Sequence, residues 1–186
     1  MACKMSKITK YIPKYAYYTI YDIPFKKLYE EGKRSIFIDI DNTIISYDIE
    51  YPPKEVINLF EEIKQIGFEI IIVSNNNQER VEKVARSLDV PYFYNTLKPL
   101  KSGFKKALKI SKYEKYQIIT IGDQLMTDVL GSNRIGLDSI LVHCIKRSSE
   151  KWYTKINRIR EKKILNQIKN EYYEDYIKII EVRGND

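Results

Sequence analysis

Two carboxylates one residue apart, Asp39 and Asp41, followed by the hydroxyl of Thr43, close an apolar run at residues 35–40. Charges do not belong inside a buried strand, so this pair must sit where the strand emerges. Open α/β sheets place their ligands at that carboxyl end. Side chains alternate along a strand, so the two acids project the same way only while the strand stays regular. Close carboxylates disturb each other's pKa unless a shared proton or a cation separates them. A divalent metal is the expected resolution.

Three more features follow apolar runs in the same manner: Ser74-Asn75-Asn76, then Lys98-Pro99, then Gly122-Asp123-Gln124-Leu125-Met126-Thr127-Asp128. Each alone is a modest signal, since a DxD pair recurs by chance and Gly-Asp often just turns a chain. In this order, each at a strand end, they read as one catalytic site. A carboxylate nucleophile can split phosphate-ester hydrolysis through an aspartyl-phosphate. That reaction is very slow unaided, and enzymes accelerate it by up to ~10²¹. Hydroxyl and ammonium groups can hold the transferring oxygens and their charge. An oxygen-only donor set without a His/Cys cluster suits Mg²⁺ rather than zinc.

These residues resemble the four motifs of the haloacid dehalogenase superfamily of phosphotransferases: DxDxT, Ser/Thr, Lys and GDxxxxD. The chain is similar more specifically to subfamily IIIA, the branch with phosphatidylglycerophosphatase-like proteins. That closer match rests on Asp39-Ile40-Asp41-Asn42-Thr43, Val73-Ser74-Asn75-Asn76-Asn77, Lys98-Pro99-Leu100 and the long fourth motif, residues 122–134. It spans about residues 10–165, with Ser132 in place of the branch's second glycine and His143-Cys144 at a less apolar strand end. The resemblance implies a three-layer αβα sandwich on a parallel, Rossmann-like sheet in the order 3-2-1-4-5. It makes Asp39 the nucleophile and a metal ligand. Asp41 becomes the acid and base, with its backbone carbonyl on the metal. Asp123 completes the direct ligands, and Asp128 holds a metal-bound water or Lys98. Ser74, the backbone near Asn75, and Lys98 face the phosphoryl group. Thr43 stands with this substrate-binding group, as a residue that orients the loop rather than reacts.

The elements that must position these groups are visible in the hydrophobic pattern. Strand-length apolar runs occur at 35–40, 68–73, 92–94, 117–121 and 139–143. Val56, Leu59, Phe60, Ile63 and Ile66 form a helical stripe closed by Gly67; Val81, Val84, Ala85 and Leu88 form another, and Phe104, Ala107, Leu108 and Ile110 a third. Such alternation implies right-handed βαβ units with helices on both faces. The intervals from Thr43 to Ser74 and from Ser74 to Lys98 leave no room for a cap, so one capless domain over 1–186 is expected. Residues 1–30 read as an aromatic lead-in with a short helix near 24–31, and residues from about 148 to 186 as a basic helical extension with an acidic end.

The 186 residues carry a formal charge of +7. Between Lys146 and Lys169 nine Lys/Arg face only Glu150 and Glu161, so this stretch holds the whole excess and the rest is balanced. Cys3 and Cys144 lie far apart, which fits a reducing compartment and excludes a disulfide scaffold. No apolar stretch reaches the length of a bilayer span, and no secretory leader is evident. A cytoplasmic location is expected, with peripheral contact at the inner face of an anionic membrane as a further option.

An open site favours a bulky substrate, and phosphatidylglycerophosphate is the best single guess. The alternatives are a soluble nucleotide, sugar phosphate or phosphoprotein, or a non-enzymatic RNA-binding or assembly factor using the basic helix; no specific nucleic acid is expected. Trp152, Ile156 and Ile159 share a helical face that can enter a membrane interface, although packing on the sheet is preferred. His143 is expected to be structural, the segment with Tyr15, Tyr17 and Tyr18 to cover a sheet edge, and Asp89 and Asp138 to lie in turns.

Overall fold

The computed structural model of the chain describes residues 7–146 and 152–183, with only the backbone for 152–156. Cys3 and the side chains of Trp152 and Ile156 therefore lie outside the described residues, while Cys144 is buried and unbridged. Six strands run β1 Tyr15–Tyr17, β2 Ser35–Ile38, β3 Glu69–Val73, β4 Tyr92–Phe93, β5 Ile118–Gly122 and β6 Asp138–Val142. They form a parallel sheet in the order β1-β6-β5-β2-β3-β4. The five strands expected from the apolar runs take the order 3-2-1-4-5 within it. The sixth, β1, lies parallel to β6 with Tyr15 opposite Ile140 and Tyr17 opposite Val142. The aromatic lead-in thus covers the sheet edge by joining it, which removes an exposed edge at β6.

The helices are α1 Phe25–Glu30, α2 Lys54–Ile66, α3 Gln78–Leu88, α4 Lys101–Ile110, α5 Leu130–Ile135, α6 Trp152–Glu171 and α7 Tyr173–Arg183. Every residue of β2 and β5 is buried, because both faces of the sheet are covered. Alternation sorts the side chains: Ile36, Ile38, Ile70 and Ile72 meet Val56 and Phe60 of α2, whereas Phe37 and Ile71 meet Phe104 and Ala107 of α4. α2 ends at Gly67 in the left-handed region, φ 111°, where a side chain would be strained. The Asn77 side chain caps α3 by accepting the Arg80 N–H.

Two expectations need correction. Ile159 does not pack on the sheet; it is 64% exposed, and Ile168 is buried against Leu125, Val129, Leu141 and Ile179 instead. The helix is rotated this way because its buried face opens with charged residues, Arg158 and Glu161, and only then becomes apolar. Asp138 is not a simple turn residue. It begins β6 and its carboxylate takes the buried Lys33 ammonium at 2.6 Å and Lys14 at 2.7 Å. Asp89 does occupy a turn, as the left-handed cap of α3. His143 is structural, stacked on Tyr18 with ring centroids 4.8 Å apart and hydrogen-bonded through Nδ1 to the Val182 carbonyl at 3.0 Å. Among the described residues no helix is long and apolar enough to cross a membrane.

Candidate active site

The sheet delivers Asp39 one residue beyond β2, its N–H still bonded to the Ile121 carbonyl at 3.0 Å. The chain then folds tightly on itself. Asn42 adopts φ 63°, its N–H reaches the Ile45 carbonyl at 2.7 Å, and the Ile44 N–H reaches Ile40 at 2.9 Å. This turn, not a continued strand, brings Asp41 to the same cavity as Asp39. Asp41 accepts Asn76 Nδ2 at 2.8 Å on one oxygen and Arg80 Nε at 3.3 Å on the other. The rest of the Arg80 guanidinium fans onto the carbonyls of Ser46, Ile49 and Glu50, so one side chain joins Asp41 to the loop at 46–50.

Lys98 reaches the site from the loop between β4 and α4. Asn75 holds that loop: its Oδ1 accepts the Lys98 N–H at 2.6 Å and its Nδ2 donates to the Lys98 carbonyl at 3.0 Å. The Lys98 ammonium lies 2.7 Å from both Asp39 Oδ1 and Asp128 Oδ1. Burial works against that ammonium, yet Asp128 and Asp39 outweigh it and hold its pKa above the usual lysine range. Asp128 is aimed by the Gln124 N–H at 3.2 Å and the Thr127 hydroxyl at 3.1 Å on its second oxygen. It lies so close to β5 that a Cβ on Gly122 would stand 2.3 Å from its Cγ. Gly122→Ala is therefore expected to displace Asp128, cutting turnover at least ~10-fold, with Ala tolerated by the strand itself; steady-state kinetics and thermal unfolding check both.

Of the expected residues, Asp39, Asp41, Ser74, Asn75 and Lys98 line a cavity of about 150 Å³ with Tyr47 and Asn157, while Asp123 and Asp128 lie beside Asp39 without lining it. Ser74 is buried, its Oγ accepting the Asn76 N–H at 3.2 Å. Asn75 borders the cavity while its side chain is committed to the Lys98 loop. Thr43 is buried and does not line the cavity. Arg80, Asn157, Arg158 and Arg183 were not singled out by their sequence neighbourhood. Arg80 lies in the first turn of α3, just after the second motif.

Asp39, Asp123 and Asp128 each present an oxygen within 4.8 Å of the others. Burial pushes Asp39 up to about 8; Lys98 opposes this, and Asp128 and Asp41 reinforce it. Burial likewise pushes Asp123 up to about 6, against the pull of Arg158. Asp123 Oδ1 is buried with no hydrogen-bond partner. Three converging carboxylates, one left with an unpartnered oxygen, suit a divalent cation, whose charge would favour their ionised forms. The side chain of Asp41 stands outside this trio, held by Asn76 and Arg80.

A parallel α/β sheet with paired acids, a hydroxyl and a lysine at its strand ends is an arrangement that phosphoryl transfer can use. The sequence model of the haloacid dehalogenase-like hydrolase family matches residues 9–136, and the chain belongs to that family. It is 38% identical over 152 residues to "Probable phosphatase YqeG" of Bacillus subtilis, covering 82% of this chain and 88% of that one. A hypothetical protein from Xanthomonas campestris shares the fold at 12% identity, with a TM-score of 0.50 over 75% of this chain and 79% of its own. The putative HAD-hydrolase YfnB from Bacillus subtilis, bound to magnesium, aligns at 16% identity and a TM-score of 0.46 over 59% of this chain and 88% of its own.

Proposed function

We propose that this hydrolase is a Mg²⁺-dependent phosphomonoester phosphatase of subfamily IIIA, working through an aspartyl-phosphate, with phosphatidylglycerophosphate as its substrate. The observation that carries the reading is the convergence of Asp39, Asp123, Asp128 and Lys98, with Asp41 held separately by Asn76 and Arg80. Asp39 attacks phosphorus while Asp41 gives its proton to the departing alkoxide oxygen. Water then attacks the phosphoryl group on Asp39, Asp41 takes a proton from it, and phosphate leaves. Ser74 and the backbone at Asn75 hold phosphoryl oxygens, and Lys98 balances charge on the phosphoryl group and Asp39. Asp39, Asp123 and Asp128, with the Asp41 carbonyl, would hold Mg²⁺, which supplies electrostatic stabilisation of the transferring group.

Two features support a substrate presented by a membrane. The segment between β2 and β3 holds a loop and α2, and that between β3 and β4 holds α3, so the site works capless as one unit with its terminal extensions. Exposed apolar side chains, Ile49, Tyr51, Leu97, Leu100 and Ile145, stand on loops that follow the carboxyl ends of β2, β4 and β6. Exposed Arg160 and Lys162 on α6 add positive charge for anionic lipid. Such a surface supports a cytoplasmic protein with peripheral contact at the inner face of the membrane. Phosphate release from phosphatidylglycerophosphate in anionic vesicles, set against soluble esters, tests this. The expected result is a preference for the lipid exceeding ~10-fold in kcat/KM, about 1.4 kcal/mol of transition-state discrimination, and abolition by EDTA. Turnover that survives EDTA removes the metal, and cleavage of soluble esters with the lipid ignored removes the lipid.

A further inference from the structure

Arg158 belongs to α6, outside every motif that defines the site. Its Nη2 pairs with Asp123 Oδ2, and its Nη1 donates to the Asp123 carbonyl at 3.0 Å and to Glu161 Oε2 at 3.3 Å. Glu161, only 1% exposed, accepts the Leu125 N–H at 2.7 Å and the Met126 N–H at 3.3 Å on Oε1. From α7, Arg183 Nη1 meets Glu161 Oε2 at 2.9 Å. Two arginines and a glutamate thus tie both carboxyl-terminal helices to the segment that carries Asp123. Packing alone does not explain this choice, because apolar residues of similar volume usually stabilise as well as a buried ion-pair network or better. The network does something apolar residues cannot: it fixes a carboxylate.

The fixing is asymmetric. Oδ2 of Asp123 is taken by Arg158, while Oδ1 is buried, unpartnered, and part of the residue trio with Asp39 and Asp128. We propose that Arg158 is a positioning residue that presents Asp123 to a divalent cation through a single oxygen, Oδ1, by holding Oδ2 and the main-chain carbonyl together. The inference rests on the metal-phosphatase reading and deepens it. It also makes a distinctive prediction of sign. As a bare positive charge near the site, Arg158 would repel a cation, so its removal would tighten binding. As a positioner, its removal must weaken binding.

Calorimetric titration of the full chain with Mg²⁺ alone, without substrate, reads that sign directly. Arg158→Met is expected to raise the dissociation constant ~10–100-fold, the usual cost of losing a partner of a metal ligand. Arg158→Lys should rescue part of the loss, since an ammonium can pair with Oδ2 but does not fork onto the carbonyl. Unchanged or tighter binding by Arg158→Met overturns the proposal. If circular dichroism shows that variant unfolded, Glu161→Gln, which keeps the volume but removes the charge anchoring Arg158, should weaken Mg²⁺ several-fold, and equal affinity overturns it. A wild-type chain that binds no Mg²⁺ takes down the metal reading and Arg158 with it. Equal binding by wild type and variant takes down Arg158 alone.

Discussion

Asp39→Asn is expected to lower kcat by ~10⁴-fold or more, as loss of a covalent nucleophile does, while making the metal-free protein more stable. The stability gain follows from burial. The Asp39 carboxyl, ordinarily near 3.8, is pushed up to about 8 in the fold. Between those values the folded chain keeps the proton and the unfolded chain releases it, so stability falls as pH rises through that window. An amide has no such slope. Thermal unfolding in EDTA should therefore show a gain for Asp39→Asn that is larger at pH 7.5 than at pH 5. A gain equal at both pH values, or none, would contradict the buried, proton-hungry carboxyl. Mg²⁺ should reverse the ranking, because it stabilises the intact acidic trio in proportion to its binding.

Lys98→Met carries the second large effect, on catalysis and folding together. The ammonium is the shared counter-ion of Asp39 and Asp128, 2.7 Å from each, and is almost wholly buried. Removing one partner from a buried ion pair costs about 3–5 kcal/mol, which for a chain of this length is a fall in melting temperature of ~10 °C. The missing positive charge at the transferring phosphoryl group should cost a further ~10²–10³ in kcat. Added Mg²⁺ is expected to recover much of the lost melting temperature and little of the lost rate. A variant with wild-type stability in EDTA would mean that Lys98 does not neutralise the pair.

The residues proposed for the chemistry were legible because they follow apolar strands, where buried sequence and charge cannot otherwise be reconciled. Asp39, Ser74 and Asp123 stand directly at such a boundary and Lys98 on the loop after β4, and the sheet brings them together. The residues that aim them were not legible. Arg158 and Glu161 lie on a helix whose abundant charges look like a solvated face, and their partners are more than thirty positions away in the chain. The same charges hide the buried face of α6, where Ile168 turns inward and Ile159 does not. Strand β1 escaped notice because Tyr15-Ala16-Tyr17 is too short to show a run, and only pairing with β6 makes it a strand. Asp138 looked like a turn residue because nothing in its neighbourhood announces Lys33, which arrives from a hundred residues earlier.

The tie from Glu161 to Arg183 has a consequence for how the protein is made. All six strands lie before residue 143, so a nascent chain can lay down its sheet and bring its acids together while the ribosome is still translating. Arg158 emerges later, and Arg183 later still. Until α7 leaves the exit tunnel, a newly made molecule has its acids gathered without the ties from Arg158, Glu161 and Arg183.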